Sequence, residues 1–124
     1  MKFSVIVPVY NRPDEIDEFL DSLTKQTQGD FEIIIVEDGS KTDCKAEVEK
    51  YSSQLNIKYF FKENGGPASA RNYGFEQISG EYCIFFDSDI IVPPNYFKII
   101  EKEGNKIEKI HVEMLEQGEE DDNE

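Results

Sequence analysis

Four short runs of β-branched, aliphatic and aromatic residues constrain this chain more than any other feature: FSVIVPV at 3–9, FEIIIVE at 31–37, IKYFF at 57–61 and YCIFFD at 82–87. Runs of this length and composition read as β-strands. The first, second and fourth are apolar almost without interruption, the pattern of strands covered on both faces. The segments between them carry helical spacing. In PDEIDEFLDSLTKQ, Ile16, Phe19, Leu20 and Leu23 recur at three and four residues, Pro13 suits a first turn, and Asp14 and Glu15 favour its positive end. A second stripe, Cys44, Val48, Tyr51 and Leu55, follows a DGSKTD turn in which Ser40, Thr42 or Asp43 is the expected helix cap. Residues 67–78 form a shorter third helix opened by Pro67. Strand and helix alternating in this way build a parallel sheet, so the fold class is α/β.

At 124 residues the chain has room for one modest core. Strand signals stop near residue 100, which divides the chain into an α/β unit at 1–100 and a weakly structured acidic tail at 101–124. Thirteen basic against twenty-seven acidic residues give a net charge of −14, half of it in the last twelve residues, EMLEQGEEDDNE. That balance argues against nonspecific nucleic-acid binding, which needs neutralised phosphates. No apolar run approaches the roughly 20 residues that span a bilayer. MKFSVIVPVYN lacks the long apolar region and cleavage site of a signal peptide. Cys44 and Cys83 stand far apart with no clustered His, so neither a disulfide framework nor a zinc site is expected. The expected setting is cytoplasmic, free or peripheral to the inner face of a membrane, with no transmembrane segment.

In open parallel sheets, ligands bind beyond the carboxyl ends of the strands. Those ends here are PVYNR, EDGS, ENGGPASARN and DSD. Asp87 and Asp89 close an apolar run, where two like charges raise one another's pKa unless a cation or hydrogen bonds compensate. On an extended segment both would face one ligand, and Mg2+ or Mn2+ held by one or two acids against phosphates is the simplest compensation. An Asx-type turn without metal explains the same residues. Gly65 and Gly66 permit close backbone approach before a helix start, where a phosphate or ribose could lie. Arg71 offers a forked donor one turn further on.

In this order and at these separations, SVIVPVYN, VEDGS, NGGPASARNYG and FFDSDIIVPPNYF resemble the N-terminal half of the family 2 inverting glycosyltransferases of the GT-A fold. The resemblance covers residues 1 to about 100 and implies a Rossmann-like three-layer α/β/α architecture with a mainly parallel sheet. It also implies that Pro8, Val9 and Tyr10 pack around a nucleotide base, that Asp38 hydrogen-bonds a uracil-like ring, and that Gly66 and Arg71 lie near the nucleotide. Asp87 and Ser88 would lie towards the ribose, and Asp89 with Asp87 would hold a divalent metal, Mn2+ or Mg2+, that bridges the diphosphate. The implied donor is a UDP-sugar and the implied acceptor a saccharide or lipid-linked hydroxyl. A carboxylate-held ion suits that chemistry, because charge grows on the departing diphosphate.

The chain departs from the family at two points. Glu37 stands where a second Asp is usual, and a longer acid there could alter a base or ribose contact, while Asp38 is retained. The half that would carry the acceptor site and general base has no counterpart here, and isolated His111 is not nominated as that base, so at most weak transfer and possible self-association into a homo-oligomer are expected. The main rival is a non-catalytic nucleotide-sugar-binding or assembly module. More distant is a haloacid-dehalogenase-type phosphatase, whose motif wants Thr or Val where Ile91 stands. The absence of GxGxxG after the first strand disfavours dinucleotide binding.

Overall fold

A computed structural model describes residues 2–102; His111 and nearly all of the acidic tail lie outside the described residues. The elements alternate as β1 (Phe3–Val9), α1 (Pro13–Thr24), β2 (Phe31–Asp38), α2 (Lys45–Tyr51), β3 (Ile57–Lys62), α3 (Pro67–Phe75), β4 (Tyr82–Phe85) and α4 (Tyr96–Lys102). The four strands form one sheet in the order β3-β2-β1-β4, and every neighbouring pair is parallel.

Side chains alternate across the strands, so each face gathers its own apolar set. On one face Phe3, Val5 and Val7 of β1 and Ile33 and Ile35 of β2 pack with Ile16, Phe19, Leu20 and Leu23 of α1, Val48 and Tyr51 of α2 and Phe97 of α4. On the other, Ile6, Ile34, Val36 and Cys83 pack with Ala70, Tyr73 and Phe75 of α3. This is the α/β/α arrangement, and it explains why the central strands tolerate almost no polar residue. α3 lies so close to β1 that a Cβ on Gly74 would sit 2.6 Å from Ile6 Cγ2.

One acid is buried where the strands begin. Glu32 accepts a hydrogen bond from Ser4 Oγ at 2.6 Å and from Ser79 N at 2.6 Å, and pairs with Lys58 Nζ at 2.9 Å. Burial pushes its carboxyl up, but the bonds from Ser4, Lys58 and Ser79 together hold it below the ordinary value.

Several elements differ from the sequence expectation. β4 ends at Phe85, not Asp87, because its register with β1 runs only from Phe3↔Tyr82 to Ile6↔Phe85; Phe86 extends the apolar run as a core residue packed edge-on against Phe19. α3 stops at Phe75, and Gln77 and Ile78 turn back onto its last residues. α2 begins after Cys44 with no side-chain cap, although Asp43 Oδ1 accepts the Lys45 N–H at 3.1 Å. The sequence marks only weak elements from Ile99 on, and α4 starts three residues earlier, at Tyr96. Its Phe97 stacks on Phe31 at 4.4 Å, and that contact, with burial in the main core, holds the short helix in place.

Candidate functional site

The carboxyl ends of β1, β2 and β4 and the start of α3 enclose a cleft of ≈ 310 Å³ lined by Pro8, Val9, Tyr10, Asp38, Asn64, Gly66, Pro67, Arg71, Asp87 and Ser88. All eight residues nominated as nucleotide-binding therefore come together, from four segments far apart in sequence. Asp89 does not join them. Residues 88 and 89 form a turn closed by Ile90 N–H to Asp87 O at 3.3 Å, so the alternation of an extended strand no longer sets both carboxylates on one side. Both are exposed.

Hydrogen bonds between neighbouring loops set the walls. Asp38, the last residue of β2, is 4% exposed. Its Oδ1 accepts from Lys62 Nζ at 3.1 Å and Gly65 N at 2.9 Å, and its Oδ2 from Gly66 N at 2.8 Å. Asn64 Nδ2 donates to the Asp38 carbonyl at 2.9 Å. Gly66, at φ 96, is the residue that turns the chain into α3. The acid nominated as a reader of the base thus already organises the glycine loop opposite, and Oδ2 keeps an acceptor position beyond its single bond.

On the other side, Ser88 Oγ donates to Glu15 Oε1 at 2.9 Å, and Glu15 lies 3.7 Å from Arg12 Nε. The 87–90 turn is thereby tied to the first turn of α1. Glu37 lies apart from the cleft. It is fully buried, absent from the cleft lining, and accepts hydrogen bonds from Ser40 Oγ and, at 2.6 Å, from the Cys44 N–H. Neighbouring residues on a strand face opposite ways, so Asp38 turns to the glycine loop while Glu37 turns inward. Burial and then the Glu37 carboxylate push the Cys44 thiol and the Tyr59 hydroxyl up, so both stay protonated.

Asn64, Glu15 and Glu37 were not nominated as site residues. Asn64 carried a signal, an Asn directly before two glycines; Glu15 read only as a helix-dipole acid. Among the described residues no group of three or more His, Cys, Asp or Glu could by itself hold a metal ion. No described helix is long and apolar enough to cross a membrane.

Comparison with known proteins gives a consistent result. The glycosyl transferase family 2 model matches residues 4–112. The poly(ribitol-phosphate) beta-N-acetylglucosaminyltransferase TarS of Staphylococcus aureus is 45% identical over 93 residues, 72% of this chain and 16% of that protein. The crystal structure of TarS 1–349 in complex with UDP-GlcNAc superposes with a TM-score of 0.73 at 40% identity, covering 83% of this chain and 30% of that one. A mannosyltransferase from Pyrobaculum calidifontis in complex with GDP-Man and Mn2+ superposes with a TM-score of 0.68 at 28% identity, covering 74% and 28%. The chain spans from 13% to 33% of the length of the curated relatives that head this comparison.

Proposed function

Because the chain belongs to glycosyl transferase family 2, we propose that its cleft binds the nucleotide of a nucleoside-diphosphate sugar, a UDP-sugar, for inverting transfer to an acceptor hydroxyl by the whole protein. The observation that carries this reading is the convergence of Pro8, Val9, Tyr10, Asp38, Gly66, Arg71, Asp87 and Ser88 on one cleft beyond the carboxyl ends of a parallel sheet, where such folds bind ligands. TarS bound to UDP-GlcNAc supports a uridine donor.

In this reading Tyr10, half exposed at the cleft mouth, offers its ring to the base. Asp38 Oδ2 takes a base N–H, and Arg71 faces the anionic end. A divalent ion of the Mn2+ or Mg2+ type would be held by Asp87 at the cleft, with Asp89 reaching it only through a change in the 88–89 turn, because such ions take one or two carboxylates and complete their shell from substrate phosphates and water. Bound there, the ion would act as a Lewis acid on the departing diphosphate. The chain's own part is to hold the donor and orient its diphosphate; no residue here is assigned as base.

Isothermal titration of UDP with and without Mn2+ tests the proposal. Metal-dependent binding that Asp89→Ala abolishes is the expected result. Binding indifferent to metal, or none at all, refutes it. Slow UDP-sugar hydrolysis by the same chain would separate a residual enzyme from a binding module.

A further inference from the structure

The loop from Gly39 to Asp43 touches the cleft only through its neighbours, yet it is fastened from two sides by residues outside the lining. From the β1 side, Asn11 adopts φ 53, a left-handed conformation that Asn tolerates better than most residues. This directs its Oδ1 to accept both the Lys41 N–H at 2.7 Å and the Thr42 N–H at 3.0 Å, while its own N–H donates to Ser40 Oγ at 2.9 Å. From beneath, Glu37 accepts the Ser40 hydroxyl and the Cys44 N–H. Ser40 passes one bond to each side, so Asn11, Ser40 and Glu37 form a continuous chain.

That chain spans two walls of the cleft. Asn11 is bonded covalently to Tyr10, and Glu37 to Asp38. Gly39 follows at φ 73, packed so closely that a Cβ there would stand 2.7 Å from Asn64 N. The loop cannot slide towards the glycine segment, and the Asn11 and Glu37 bonds keep it from lifting away. A fully buried carboxylate costs desolvation free energy that only satisfied hydrogen bonds offset, and buried polar networks that are satisfied define one geometry.

The geometry points to Asn11 and Glu37 as positioning residues for nucleotide binding: without touching the ligand, they fix the separation between Tyr10 and Asp38, and with it the slot for the base. This inference rests on the proposed donor site and adds to it two residues that act through others. It predicts a specific signature. Losing the clamp should weaken the nucleoside contact and leave the diphosphate contact alone.

The test titrates two ligands into the 124-residue chain: UDP with Mn2+ by calorimetry, and uridine without metal by NMR. Asn11→Gly keeps the backbone conformation and removes the acceptor; it is expected to weaken uridine and UDP by the same factor, about tenfold. Asn11→Asp keeps Oδ1 and is expected to bind both within about twofold of the unaltered chain. Glu37→Gln should behave as Asn11→Gly does, and if circular dichroism finds it unfolded, the Asn11 pair still decides. A folded Asn11→Gly chain that binds both ligands normally, or an Asn11→Asp chain that loses as much as Asn11→Gly, overturns the clamp alone. Failure of the unaltered chain to bind either ligand overturns the donor site and the clamp with it.

Discussion

Replacing Asp38 by Asn keeps the side-chain shape and changes only its chemistry, so its effect can be worked out from the bonds in place. The carboxylate serves three donors through two oxygens: Lys62 Nζ and Gly65 N on Oδ1, Gly66 N on Oδ2. An amide has one oxygen. Whichever way it is turned, its NH2 must face at least one N–H, and the Lys62 ammonium, with its side chain only 17% exposed, loses its counter-charge. Hydrogen bonds to charged groups contribute about 1.5–3 kcal/mol each, and an unsatisfied buried donor costs about 1–3 kcal/mol. One lost bond and one unsatisfied donor therefore come to about 2.5–6 kcal/mol, a large part of the roughly 5–15 kcal/mol that holds a domain together. The chain has no Trp, so urea unfolding is best followed by far-ultraviolet circular dichroism; the midpoint should fall with no change in slope. Lys62→Met should cost less alone, and the double variant should cost less than the two singles together, because the pair is coupled. A drop below about 0.5 kcal/mol, the range of ordinary surface substitutions, or strict additivity with Lys62→Met, would refute the account of Asp38 as the organiser of the glycine loop.

Other outcomes follow from the rest of the structure. Glu32 has a folded pKa below its ordinary value of 4.5, so it contributes stability above that pH which is lost as pH falls through the folded value; Glu32→Gln should flatten the acid limb of a stability profile measured below about pH 4.5. Gly74→Ala gains up to about 1 kcal/mol of helix propensity but forces a Cβ to 2.6 Å from Ile6, and since overpacking costs about 1–3 kcal/mol the melting temperature should fall. Burial pushes the Cys83 thiol up to about 12 and raises Cys44 as well; neither should react with a disulfide reagent at neutral pH until urea unfolds the chain, when both should titrate.

The layer order was legible because a buried parallel strand leaves a simple trace, an apolar run without alternation, and Ile33 to Val36 are buried on both faces as that trace requires. Strand ends were legible only where pairing and apolarity stop together. At β4 they do not, since Phe86 is apolar for the sake of Phe19 and not of a partner strand. α4 left only a weak trace because its seven residues owe their place to tertiary contacts of Phe97 with Phe3 and Phe31. The four strand ends that border the cleft were legible because a parallel sheet gathers its carboxyl ends at one edge, while the particular lining residues came from the resemblance to family 2 glycosyltransferases. What could not be read was direction. Nothing in the letters of EDGS tells that its first acid turns inward to Ser40 and Cys44 while its second turns towards Gly65 and Gly66, because that follows from where β2 ends and how the chain leaves it.

The strand order has a consequence for biosynthesis. β1 lies between β2 and β4, so this early strand acquires its last neighbour only when residues 82–85 have been made. Until residues 87 and 88 follow, the wall that Asp87 and Ser88 form beside Pro8 to Tyr10 is missing. On a ribosome adding about 5–20 residues each second, the pocket closes only after most of the sheet has been made. A nascent chain released before that turn would have most of its core and no place for a nucleotide.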